Sequence, residues 1–135
     1  MRRLVTLALT LLPSMTPAQT ITEIEWQLLA INGAVTESGT TLRIEADGTL
    51  AGAAPCNRWP SMNAASLPAL QLRGIRATRM ACDKLADEQV FFDVLSAMTR
   101  MALDGDRNLV LTGPDGRSME FVVERTVCRT CKTGD

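Results

Sequence analysis

Residues 85–124 run LADEQVFFDVLSAMTRMALDGDRNLVLTGPDGRSMEFVVE, and the spacing of their apolar residues changes partway along. In the first part Val90, Phe91, Val94, Leu95 and Met98 recur at i, i+1, i+4, i+5 and i+8, which is one face of a helix. Asp87 and Glu88 lie near its start and Arg100 near its end, the arrangement a helix dipole favours. In the second part the period is two. Met101 and Leu103 precede a turn at Asp104-Gly105-Asp106. Leu109 and Leu111 precede another at Pro114-Asp115-Gly116. Met119, Phe121 and Val123 then alternate with Ser118, Glu120 and Val122. This half of the chain therefore reads as a helix followed by a three-strand meander.

Upstream the strand period holds. In ITEIEWQLLAING, residues 21–33, Trp26, Leu28 and Leu29 mark a first strand and Asn32-Gly33 a turn. In TTLRIEADGTLAG, residues 40–52, Leu42 and Ile44 alternate with Thr41, Arg43 and Glu45. Asp47-Gly48 then separates that run from Thr49 to Ala51, a strong short-range hairpin signal. In LPALQLRGIRATRMAC, residues 67–82, Leu70 and Leu72 face one way, Gln71 and Arg73 the other. Gly74 marks a bend or bulge, and residues 75–79 are compatible with continuation of the strand. The fold class expected is α+β: a small curled antiparallel β-sheet or partial barrel of six to eight strands, with one helix packed late in the chain.

The chain opens MRRLVTLALTLLPSMTPAQT. A basic start, the apolar run Leu4 to Leu12 and small residues around Thr16-Pro17-Ala18 are the layout of a secretory signal peptide. The run is too short to span a bilayer, which takes about 20 residues. Residues 1–18 are expected to be removed, leaving one domain over 22–125 and a polar tail over 126–135. Removing Arg2 and Arg3 takes the 14 basic residues to 12 against 15 acidic, a net charge of −3. Nucleic acid calls for a concentrated basic surface, so it is excluded as a partner. Stable membrane insertion after signal removal is not expected either, and the mature chain is expected to be periplasmic or secreted.

Export makes disulfides available to Cys56, Cys82, Cys128 and Cys131. Four cysteines allow three pairings. Neighbourhood in sequence gives Cys56–Cys82 and Cys128–Cys131. The first would close a loop of about 26 residues, worth roughly 3–4 kcal/mol in the chain-entropy account.

Histidine and tyrosine are absent, which removes Ser-His-Asp and Cys-His catalysis. Two segments place a cysteine beside polar groups: Cys56-Asn57-Arg58-Trp59 and Thr78-Arg79-Met80-Ala81-Cys82. Asn57, Arg58 and Arg79 around the two sulfurs would hold an anionic group through charge-assisted hydrogen bonds. The simpler reading, and the preferred one, is a disulfide-tied bend in which Asn57 bonds its own backbone and the arginines lie on the surface. Cys128-Arg129-Thr130-Cys131 has redox spacing, but it lies in a polar tail with no βαβ unit before it. A local disulfide or exposed thiols fit that context better. One Cys-x-x-Cys pair without histidine is poor for zinc. Asp104-Gly105-Asp106 lacks the remaining positions of a calcium loop. No metal or cofactor is expected.

Four pieces of the chain resemble the META domain family, which includes HslJ-like heat-shock proteins. They are WQLLAING, residues 26–33; TLRIEADGTLAGAAPCNRW, residues 41–59; IRATRMACDKLADEQVFFDVLSAMTR, residues 75–100; and LVLTGPDGRSMEF, residues 109–121. In order they supply a first-strand tryptophan before Asn-Gly, a Cys-Asn-Arg corner, a Thr-x-Met-Ala-Cys segment and a helix opening near Glu-Gln. Pro55 stands where the family usually has glycine, and Ser61 and Asn63 replace a glycine and a tyrosine. Pro55 fixes φ near −65°, so the path over 53–63 is free to differ from relatives. The resemblance implies a small β-rich, barrel-like envelope or secreted domain, some members being linked to heat shock or antibiotic tolerance, with no assigned catalysis. The function expected is a non-enzymatic periplasmic module that binds a protein or small-molecule partner during envelope stress. The alternatives are a thiol-redox protein using Cys128 and Cys131, and a protease-inhibitor or chaperone-like module.

Overall fold

The computed structural model describes residues 21–123 apart from Glu23 and Asp106. The leader, the tail and the pair Cys128 and Cys131 lie outside the described residues. The elements run β1 (Glu25–Ile31), β2 (Ala34–Val35), β3 (Thr41–Ile44), β4 (Thr49–Ala53), β5 (Arg58–Asn63), β6 (Leu72–Arg73), α1 (Leu85–Ser96), β7 (Arg100–Asp104), β8 (Asn108–Thr112) and β9 (Ser118–Val122). Eight strands form one antiparallel path, β6-β5-β4-β3-β1-β9-β8-β7, and the two-residue β2 pairs with β1 off that path.

The pleat explains why this register is chosen. Core residues face one another across successive ladders: Trp26 with Leu42, Ile44 with Leu50, Leu109 with Phe121 and Leu111 with Met119. All eight are buried. A one-residue slip of any strand would turn its apolar set to water, at about 1.5–3 kcal/mol per large side chain. The sheet curls into a half-barrel whose ends meet at a single bridge, Ala69 with Arg100. Leu70 N–H donates to Thr99 O at 2.8 Å and Met101 N–H to Pro68 O at 2.9 Å beside it. Gly52 permits the tight curl between β3 and β4, because a Cβ there would overlap the Thr41 carbonyl.

The turns use local chemistry. Gly48 adopts φ 86° in the β3–β4 hairpin, and Thr49 N–H donates to the Asp47 carboxylate at 2.9 Å. Gly116 adopts φ 83° in the β8–β9 hairpin, where Asp115 accepts from Arg117 N–H at 3.2 Å and pairs with the Arg117 guanidinium. In each case the backbone N–H two residues on holds the aspartate pKa below its ordinary value.

Two details differ from the sequence-based expectations, and a third is sharpened. At Gly74, φ 62°, the register against β5 shifts by one residue, and residues 75–79 go on along β5 in the direction of β6 without forming a regular strand: Arg76 N–H donates to Pro60 O at 3.3 Å and Thr78 N–H to Arg58 O at 3.1 Å. Arg100 lies in β7 rather than in the last turn of α1, which ends at Ser96 and carries no basic residue there. Val90 is 52% exposed. The buried face of α1 is Glu88, Phe91, Val94 and Leu95, so it is turned toward the acidic Glu88 and away from Val90, which lies about 200° from Glu88 around the helix. Phe91 and Phe92 meet Trp59 edge-on, with ring centroids 5.8 and 6.3 Å away, and this seats the helix on the sheet.

Candidate functional site

The Cys-Asn-Arg corner, the Thr-x-Met-Ala-Cys segment and the start of α1 converge on one place. Cys56 and Cys82 form a disulfide with Cα atoms 5.8 Å apart, and no free cysteine remains among the described residues. Asn57 lies next to this bridge and is 5% exposed. Its Oδ1 accepts from Met80 N–H at 2.7 Å and from the Thr78 hydroxyl at 2.8 Å. Its Nδ2 donates to Met80 O at 3.2 Å and to Glu88 Oε1 at 2.6 Å. Met80 N–H has no other role than donor, so it fixes which end of the amide is oxygen.

Glu88 completes the knot. It is 6% exposed, and its Oε2 accepts the backbone N–H groups of both Cys56 and Asn57 at 2.8 Å. The carboxylate thus satisfies three donors, two of which no strand ladder would serve. Asn57 therefore does not bond its own backbone, the local role expected from its place in a turn. Its partners are 21 to 31 residues away. Thr78 closes the ring by accepting Arg58 N–H at 3.2 Å. Sequence reasoning missed Glu88. The available signal was its place three residues before Phe91, on the face that has to be buried.

The three residues expected to gather around the sulfurs are divided. Asn57 is inside, and both ends of its amide are taken. Arg58 and Arg79 are exposed, and neither guanidinium has a partner among the described residues. Arg58 instead joins a groove on the outer face of the sheet, with a volume of about 740 Å³. Its floor is Ala51, Gly52 and Ala53 of β4. Its wall is the 76–78 segment, which the knot and the disulfide pin in place. Arg43, Arg58 and Arg76 stand around it, with Glu25 as the one carboxylate among the lining side chains. Arg43 pairs with Glu45 at 2.9 Å, while Arg58 and Arg76 have no side-chain partner among the described residues. Sequence reasoning identified Arg58 but not Arg43 or Arg76, since pairing across β3, β4 and β5 and the run of residues 75–79 along β5 bring them together.

Among the described residues, no group of three or more carboxylates and thiols is placed to hold a metal ion. No helix there is long and apolar enough to cross a membrane.

Solved structures share this fold. An NMR structure of a protein from Burkholderia xenovorans aligns with a TM-score of 0.61 at 17% identity, covering 86% of this chain and 99% of that one. A second NMR structure aligns with a TM-score of 0.60 at 17% identity, over 76% of this chain and 91% of the other. The crystal structure of a DUF4847 family protein from Bacteroides vulgatus aligns with a TM-score of 0.59 at 13% identity, over 77% and 94%. No curated protein matches the sequence. A META domain family model matches residues 19–126, which takes in the corner, the segment that returns to it and the helix that caps both, and the chain belongs to the META domain family.

Proposed function

We propose that this chain is an exported, non-enzymatic binding module of the cell envelope, and that it binds a small anionic ligand in the outer-face groove. The observation that carries the reading is the pairing of unpartnered arginines with a rigid frame. Arg58 and Arg76 face a groove of about 740 Å³, a size usual for small-molecule sites. The backbone that presents them is fixed by a disulfide and a buried carboxylate. A backbone fixed in this way presents its guanidinium groups to an anion without the cost of ordering a loop. Export is supported by the basic and apolar leader and by the even cysteine count. A role in stress is supported by the family's association with heat shock.

The test is recovery of the protein from the periplasmic fraction, followed by native mass spectrometry. A mature N-terminus near Gln19 and a co-purifying anionic small molecule are expected. The ligand should be lost in Arg58→Glu/Arg76→Glu. Recovery from the cytosol with residues 1–18 intact would contradict export. Equal ligand occupancy in the charge-reversed variant would contradict the assigned groove.

A further inference from the structure

We infer that the groove takes a single-chain anionic amphiphile: one unbranched hydrocarbon chain laid along β4, with a carboxylate head held by Arg58 and Arg76. This rests on the binding reading above and adds the ligand's chemistry.

The floor is made of small side chains on a strand whose backbone is already paired. β4 is paired on both sides, with β3 and with β5, so its backbone groups are committed to ladders. Thr41 borders the floor, and its hydroxyl accepts Ala53 N–H at 3.1 Å. A floor of methyl groups and satisfied backbone favours a hydrocarbon over a polar body. An extended peptide finds no free ladder on a strand paired at both edges. A sugar or nucleobase calls for an exposed ring to stack on, and the Trp59 ring is buried against Phe91 and Phe92.

The charge selects the head. Three arginines face one carboxylate, Glu25, across the groove. Arg43 is engaged by Glu45, which leaves Arg58 and Arg76 for the ligand. Their planar forks match a carboxylate in bidentate geometry.

The test uses the oxidised mature protein and straight-chain carboxylates of about eight to twelve carbons, below their micellar range, with binding read by calorimetry. Each added methylene should tighten binding about threefold to fourfold, the fold-change that corresponds to burial of one CH₂. Dodecyltrimethylammonium and dodecanol should bind at least about tenfold more weakly than dodecanoate. Arg58→Glu/Arg76→Glu should abolish dodecanoate binding with its Tm unchanged, and Arg58→Lys/Arg76→Lys should keep part of it. Affinity independent of chain length would overturn the amphiphile. If acetate and dodecanoate then bound equally, and both lost affinity on charge reversal, the anion-binding reading would survive without it. Equal binding of the cationic chain would overturn both. Binding to phosphatidylglycerol vesicles with none to monomeric dodecanoate would likewise overturn this inference in favour of a membrane surface.

Discussion

The knotted corner and the β7–β9 meander hold the same kind of backbone by opposite means. In the meander each hairpin is closed by residues inside it. Asp115 serves Arg117, and strand pairing follows from neighbours in sequence. At the corner one bond is local, from Ala54 N–H to Asn57 O at 2.7 Å, and the other restraints come from afar. Residues 54–57 are fixed by a sulfur at 82, an amide network at 78–80 and a carboxylate at 88. A region held by many short-range contacts loses little when one is removed. A region held by a single carboxylate serving three donors loses all three at once.

The sharpest way to break the contrast is Glu88→Ala, which strands two backbone N–H groups and the Asn57 amide. A loss of about 3–5 kcal/mol is expected in urea unfolding, a large part of the total for a domain this size. Glu88→Gln sharpens the point because it is isosteric. Its new NH₂ must face either the Asn57 Nδ2 donor or the two backbone donors. Turning the Asn57 amide over would only set its NH₂ against Met80 N–H. A loss of about 1–3 kcal/mol is expected, and a neutral result would mean that the carboxylate is not the shared acceptor.

Removing the crosslink by Cys56→Ser/Cys82→Ser should cost about 3 kcal/mol by the loop-closure account, with the Asn57 network left to hold the corner. Gly52→Ala should cost about 1–3 kcal/mol, because its methyl group meets the Thr41 carbonyl, which belongs to a ladder and cannot move aside. In the meander, Asp115→Ala should shift the urea midpoint far less than any of these, because its carboxylate is exposed to solvent.

The smallest effect is one of pH. Asp47 and Asp115 have folded pKa values below the unfolded one, near 3.9. Each therefore contributes stability that is complete above that unfolded value and is lost as pH falls through the lower folded value. Carboxyl-carbon NMR titration should place both midpoints below about 3.9. Midpoints at or above that value would remove the two turn bonds from the account.

The same contrast decides how much was legible in the sequence. Alternation in 101–123, the Asp-Gly turns and the helix period in 85–98 depend on neighbours, and each led to the correct element. The corner does not. Asn57 in a turn-rich stretch looks like local turn chemistry, and Glu88 at a helix start looks like dipole compensation. Both are instead buried against partners 21 to 32 residues away. Val90 differs from expectation for the same reason: the buried face is turned toward the acidic Glu88, which apolarity alone leaves outside. The groove was still less visible, because Arg43, Arg58 and Arg76 come together only through the pairing of β3, β4 and β5 and the run of 75–79 along β5 beyond Gly74.

The most direct measurement is amide hydrogen exchange at Cys56 and Asn57 in the oxidised protein. If Glu88 accepts both N–H groups, these two amides should exchange as slowly as those of the core strands, such as Leu42 and Met119, and should become fast in Glu88→Ala while the β8–β9 ladder stays protected. Exchange of Cys56 and Asn57 at the rate of exposed loop amides in the unmodified protein would contradict the buried carboxylate knot.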